Sequence, residues 1–152
     1  MTGVTLQRGA QQAADLIRRA KYVAVLTGAG ISTPSGIPDF RSVKSGLWTK
    51  NDPMTVASLS AFNSHPEIFF NWLRPLAENI FRAAPNAAHS GLAKMEDAGW
   101  IKVIVTQNID GLHQAAGSVN VVEIHGSTRV LTCQRCNKKY PFDHFYNDFV
   151  NH

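Results

Sequence analysis

Cysteine is almost absent from this chain: only Cys133 and Cys136 occur, separated by two residues. That spacing is too tight for a disulfide framework and excludes a small disulfide-stapled secreted domain. The pair reads instead as metal ligands or a redox pair. Long apolar runs are also missing, since none approaches the roughly 18 residues a bilayer-crossing helix needs. Neither a secretory leader pattern nor an organelle presequence is evident at the N-terminus, so the expectation is a cytoplasmic protein with no membrane partner. The net charge is +4, but Lys and Arg are scattered and form no basic stripe, and nucleic acid is not an expected partner. With 44% hydrophobic and 17% charged residues the chain is neither disordered nor membrane-spanning. No internal repeat or low-complexity segment is found.

What is present is concentrated between residues 23 and 42. Val23-Ala24-Val25-Leu26 is an apolar run broken by Gly28-Ala29-Gly30, and the loop that follows, rich in glycine and proline, ends in Asp39-Phe40-Arg41. A strand that stops at Gly-Ala-Gly turns sharply and offers free backbone N–H groups to a diphosphate with no Cβ in the way. The dinucleotide fingerprint asks for a glycine three positions after the second one, where Thr33 stands. Taken alone, these glycines leave an ordinary strand-to-helix turn open.

At 152 residues the chain has the size of one domain. Apolar positions at Ala13, Leu16, Ile17 and Ala20 predict a helix over residues 8–20, leading into a strand over 22–26. Residues 42–53 lack periodicity and predict a flexible loop able to close over a ligand, with Trp48 as its one large anchor. Residues 54–84 read as helical, with breaks at Ser64-His65-Pro66 and at Pro75. Their aromatics, including Phe62, Phe69, Phe70, Trp72 and Phe81, are expected to form the packed core of a small helical insertion rather than a cofactor box. Pro85-Asn86 ends that module, a helix follows over 87–98, and Gly99 stops it.

A second strand over 101–106 ends at Gln107-Asn108-Ile109-Asp110-Gly111, and a third over 119–124 ends at His125-Gly126-Ser127. Ligands of open α/β sheets bind at the carboxyl ends of strands, so these clusters and the glycine loop can face one crevice. Beyond them come a strand over 128–132, the tight knuckle Cys133-Gln134-Arg135-Cys136 and a return strand over 138–140. The fold class is therefore α/β: an incomplete doubly wound, Rossmann-like parallel sheet with a helical insertion and the first half of a zinc ribbon. Tetrahedral zinc takes four ligands, and this chain contains no second cysteine pair. The expected division places the dinucleotide-binding part at about 1–42 and 86–126, the helical insertion and cofactor loop at about 43–85, and the half ribbon at about 127–142. His65, His89 and His113 are expected to be ordinary surface or core histidines.

Four motifs in order carry a family resemblance: Gly28-Ala29-Gly30-Ile31-Ser32, Ser35-Gly36-Ile37-Pro38-Asp39-Phe40-Arg41, Thr106-Gln107-Asn108-Ile109-Asp110-Gly111-Leu112-His113 and Glu123-Ile124-His125-Gly126-Ser127, followed by Cys133 and Cys136. The chain resembles the N-terminal half of a sirtuin, an NAD-dependent protein lysine deacylase. The resemblance implies NAD as cofactor, acetylated lysine proteins or peptides as partners, and a structural zinc. It implies that Gly28, Ala29, Gly30 and Ser32 line the dinucleotide pocket with Thr33 nearby, and that Asp39, Phe40 and Arg41 belong to the loop over the nicotinamide ribose. Gln107 and Asn108 would contact that ribose, Ile109 and Asp110 would hold the nicotinamide amide, and His125 would be the general base. Asn108 and His125 are the implied catalytic pair, and Cys133 and Cys136 half of the zinc ligands.

Chemistry agrees with these roles, since a carboxylate accepts from a carboxamide NH₂ and a neutral imidazole takes a proton from a hydroxyl near neutral pH. Phe40 is expected to keep water away from the activated ribose. Leu73 and Leu76 fall where family members that favour negatively charged acyl groups carry Tyr and Arg, which points to acetyl or another uncharged acyl group. The later strands and the turns that hold the adenosine half and the peptide in the family have no counterpart in this chain. The readings are thus a deacetylase, incomplete as this chain, that transfers the acyl group to ADP-ribose and releases nicotinamide; a non-catalytic binding or interaction module; or a protein ADP-ribosyltransferase.

Overall fold

The computed structural model describes residues 3–40, 42, 46–49 and 52–151. Arg41 and much of the expected flexible loop lie outside the described residues, as does the side chain of Trp48. The first helix, α1 (Gly3–Arg19), begins ahead of its first apolar position and closes on Arg18 and Arg19, cations that suit the negative end of a helix dipole.

Three short strands, β1 (Ala24–Thr27), β2 (Val103–Thr106) and β3 (Val121–Glu123), form a parallel sheet in the order β1-β2-β3. Thr27 lies opposite Thr106, and Thr106 opposite Glu123, so the carboxyl ends of all three strands stop at one edge. Gln107 N–H donates to the Thr27 carbonyl (3.0 Å) and Ile124 N–H to the Thr106 carbonyl (3.0 Å), which carries the ladder just past those ends. A doubly wound sheet reverses its strand order at a switch point. Among the described strands the order runs one way, with no reversal.

Between β1 and β2 lie α2 (Pro53–Val56), α3 (Leu59–Ser64), α4 (Pro66–Arg82) and α5 (Ala87–Asp97). Their starts follow local chemistry. Asp52 accepts from Met54 N–H, Ser58 accepts from Ala61 N–H, and Pro53 and Pro66 occupy first-turn positions where a missing N–H costs nothing. The break expected at His65-Pro66 is there. The break expected at Pro75 is not, because Pro75 sits inside the continuous helix α4. An interior proline costs about 3 kcal/mol, whereas burying a Leu or Ile side chain contributes roughly 1.5–3 kcal/mol each. Leu76 and Ile80, on the turns after Pro75, are 6% and 5% exposed and join Ile37 and Leu112 in the core, with Trp72 and Leu73 packed against it. That packing holds the helix through its proline.

Asn86 caps α5 in a reciprocal arrangement: its side chain accepts from Ala88 N–H, while its own N–H donates to His89 Nδ1. Gly99, with φ of 78°, ends that segment. The short helix α6 (Leu112–Ala115) crosses from β2 to β3. Downstream, β4 (Val130–Thr132) and β5 (Lys139–Pro141) pair antiparallel, Leu131 against Tyr140. Residues 142–151, to which the sequence pattern assigns no element, form a turn and α7 (Tyr146–Asn151). Arg74 donates to the Phe149 carbonyl at 2.8 Å, and Phe149 meets Phe70 and Phe142 edge-on, which ties α7 to α4. Among the described residues no helix is long and apolar enough to cross a membrane.

Candidate active site

The strand ends deliver their loops to one place, and Ser32 stands at its centre. Gly28, Ala29, Ile31 and Ser32 form a tight turn directly after β1, closed by hydrogen bonds from Ile31 N–H to the Gly28 carbonyl and from Ser32 N–H to the Ala29 carbonyl. Ser32 is 0% exposed. Its hydroxyl donates to Asp110 Oδ2 at 2.7 Å and accepts from Asn108 Nδ2 at 3.0 Å. Because His89 Nδ1 accepts from Asn86 N–H, the proton of neutral His89 lies on Nε2, which approaches Ser32 Oγ at 3.5 Å. One donor and two acceptor sites exhaust what a hydroxyl offers, so the glycine turn, β2's loop and α5 are locked at one atom.

The loop after β2 is held just as closely. Asn108 N–H donates to Thr106 Oγ1, and Asn108 Nδ2 also reaches the Gly28 carbonyl at 3.2 Å. Both Nδ2 protons are committed, which leaves Oδ1 to meet a ligand hydroxyl. Asp110 uses Oδ1 to accept from Leu112 N–H at the start of α6, and the intervening Gly111 adopts φ of 70°, a left-handed value that favours glycine. Each carboxylate oxygen has a second lone pair available to an amide NH₂.

His125, just beyond β3, is exposed, and its Nδ1 lies 3.0 Å from the Gln107 carbonyl. A carbonyl only accepts, so Nδ1 carries the proton and Nε2 presents a lone pair. A cavity of about 770 Å³ brings these groups together. Ser32, Asn108, Asp110 and His125 stand on its wall with Ala29, Phe40, Gln107 and Ile109. Most of the remaining wall is apolar and includes Phe62, Phe69 and Phe70 beside Leu73 and Leu76. The aromatics expected as simple core therefore do double duty: Phe62, Phe69 and Phe70 stack edge-on with one another and also wall the cavity. A large, mainly apolar chamber with a few convergent polar groups is the usual form of a small-molecule site.

Other expected site residues stand apart from the cavity. Gly28 and Gly30 do not line it; Gly28 has extended backbone (φ −144°), and a Cβ on Gly30 would meet nothing within 4 Å. Close packing within the described chain does not demand glycine at either position. Thr33 is exposed and only bonds back to the Gly30 carbonyl. Asp39 accepts from the backbone N–H and the hydroxyl of Ser42, which shapes the loop behind Phe40.

Sequence reasoning passed over His89 and His113. Both are essentially buried, their rings 5.0 Å apart, and His113 Nε2 lies 2.9 Å from Thr27 Oγ1. Burial holds both below the ordinary histidine pKa; the neighbouring His89 pushes His113 further down, and Asp110 pulls each back up. The available signal was Asn86 three residues before His89, a capping pattern. At the knuckle, backbone N–H groups of Cys136 and Arg135, then the Cys136 side chain, lower the Cys133 thiol pKa. Cys133 also touches the cavity wall.

A parallel sheet whose strand ends gather an amide, a carboxylate and an oriented imidazole around one chamber defines a nucleotide-binding α/β protein. Residues 28–152 match the Sir2 family, and the chain belongs to that family. It is 45% identical over 139 residues to NAD-dependent protein deacylase 2 of Archaeoglobus fulgidus, covering 91% of this chain and 54% of the relative. A solved Sir2 enzyme superposes with a TM-score of 0.83 at 44% identity, over 92% of this chain and 55% of that one. A Sir2–p53 peptide–NAD⁺ complex superposes with a TM-score of 0.77 at 44% identity, over 88% and 52%. The chain spans about half the length of the curated relatives it matches.

Proposed function

We propose that this chain carries the nicotinamide-ribose side of an NAD-dependent protein lysine deacetylase site, in which the acyl group passes to ADP-ribose and nicotinamide is released. The observation that carries this reading is His125: its Nδ1 proton is spent on the Gln107 carbonyl, and the ring lies on the same cavity wall as Asn108 and Asp110. Relatives named as NAD-dependent deacylases and a Sir2 complex with NAD⁺ and a p53 peptide support it.

NAD, when bound, supplies a ribose carbon made electrophilic by a cationic leaving group. The protein's part is to hold, orient and dry that centre. Asp110 accepts from a carboxamide NH₂ while Ile109 packs beside it, and Asn108 Oδ1 orients a ribose hydroxyl. Phe40 excludes water, and His125 Nε2 takes the hydroxyl proton. Leu73 and Leu76 line the chamber without charge, which favours an acetyl or other uncharged acyl group. Acetylated lysine in proteins or peptides is the partner this chemistry needs. On this reading residues 1–42 and 86–126 form the nucleotide part, and 43–85 the helical insertion.

Zinc fits this chain only in part. Cys133 and Cys136 form a knuckle with backbone amides aimed at sulfur, as a thiolate pair requires, but zinc takes four ligands. Among the described residues no group of three or more His, Cys, Asp or Glu is gathered to hold a metal. No chemical step runs through zinc.

The test is to incubate the purified chain with NAD and an acetyl-lysine peptide and to quantify nicotinamide and deacetylated peptide. The expected result is release that falls roughly 10²- to 10⁴-fold in His125→Ala, as for a lost general base. If the variant retains most of the rate, His125 is not the base. If the unaltered chain releases no nicotinamide, the binding-module reading takes its place.

A further inference from the structure

We propose that Cys133 and Cys136 are half of a zinc site completed by the same two cysteines of a second copy of this chain, so that one zinc bridges two copies through four thiolates. The inference is independent of the deacetylase reading, because it concerns the hairpin and not the ribose site.

The half-site is already shaped. Cys133 N–H donates to the Lys138 carbonyl and Asn137 N–H to the Cys133 carbonyl, each at 2.9 Å. Asn137 turns the chain at φ of 57°, the one described non-glycine residue in left-handed backbone. The amides of Arg135 and Cys136 point at the Cys133 sulfur. Both cysteines are free, Cys136 is exposed and Cys133 half-buried, at the tip of the β4–β5 hairpin. A backbone wound around a sulfur in this way supplies the hydrogen bonds that a metal-bound thiolate accepts.

The half-site also lacks its complement. The 152-residue chain holds two cysteines in total, and among the described residues no third donor joins them. Structural zinc is closed by four protein ligands, and its soft sulfur partners favour a uniform thiolate set. A second copy related by a two-fold axis supplies two more thiolates from an identical exposed tip, an isologous arrangement that closes on itself. On binding, four S–H groups each release a proton to solvent as four Zn–S bonds form, leaving a centre of net charge −2. Arg135, Lys138 and Lys139 are exposed beside the sulfurs on each hairpin and offset that charge.

The experiment uses the full chain in a non-thiol reductant, so that disulfides cannot form. Mass is followed by size-exclusion chromatography with light scattering, and metal by atomic emission, with zinc sulfate and then with EDTA. The expected result is a doubling of the 16.7 kDa mass with one zinc per two chains, reversed by EDTA and lost in Cys136→Ser. Cobalt(II) titrated into the unaltered chain gives a readout that does not depend on how the variant folds. It should saturate at half an equivalent, with the visible bands of a tetrahedral four-sulfur centre. One zinc per monomer, no zinc at all, or a dimer that survives EDTA would each overturn the proposal.

Discussion

Replacing Ser32 with Ala removes the atom on which three separate segments converge, and the cost can be worked from the contacts. Asp110 Oδ2 loses a 2.7 Å bond to a charged acceptor, a class that contributes about 1.5–3 kcal/mol. Asn108 Nδ2 loses one of two bonds and keeps the Gly28 carbonyl, a neutral loss of about 0.5–1.5 kcal/mol. The His89 contact, at 3.5 Å, is too long to add much. Asp110 is half-buried, so water can partly replace the hydroxyl, which sets the expectation at roughly 2–3 kcal/mol. With a urea m-value of about 1–3 kcal/mol/M, the unfolding midpoint should fall by roughly 1–3 M with m unchanged. Thr33→Ala is the control: the exposed Thr33 makes one bond, back to the Gly30 carbonyl, and its loss should stay within about 0.5 kcal/mol. If Ser32→Ala costs no more than Thr33→Ala, the claim that Ser32 locks the glycine turn to the loop after β2 is wrong.

Two further predictions concern the same region. Burial lowers the folded pKa of His89 and His113, so the unfolded chain binds more protons as pH drops through about 6.5. Their contribution to stability is thus complete above that pH and declines below it, by at most about 1.4 kcal/mol per pH unit for each ring. Urea midpoints measured from pH 7.5 down to 5.5 should fall, and flat midpoints would contradict the assignment. Gly111→Ala combines a φ of 70° with a Cβ placed 3.0 Å from Arg129 Cδ, whereas Gly36→Ala, at φ of 87°, meets nothing within 4 Å. Both should lose about 1–2 kcal/mol to backbone strain, with Gly111→Ala the worse. Adding Arg129→Ala should recover only the steric share of the Gly111→Ala cost, and strict additivity in the double-mutant cycle would refute the contact.

The three strands and their polar ends are readable in the chain because β-branched runs there are bounded by glycine and amide clusters. Their true limits are not, since pairing stops where Thr27, Thr106 and Glu123 come level, a property of register between strands and not of any one strand. Pro75 misleads for a related reason. The local rule breaks the helix, and only the depth at which Leu76 and Ile80 are buried overrides it. The convergence of Asn108, Asp110 and His125 follows from strand order and is legible. The part played by His89 is not, because it needs Asn86 to fix the imidazole tautomer and the fold to bring Ser32 from 57 positions away.

The two oxygens of Asp110 face different masters: one begins α6, the other grips Ser32. A carboxylate that both starts a helix and fastens the neighbouring turn cannot drift for the sake of a new ligand without loosening the scaffold itself. Decay of chemistry at this position would therefore be accompanied by decay of foldability, and variants that have lost the one would tend to be cleared from the cell for want of the other.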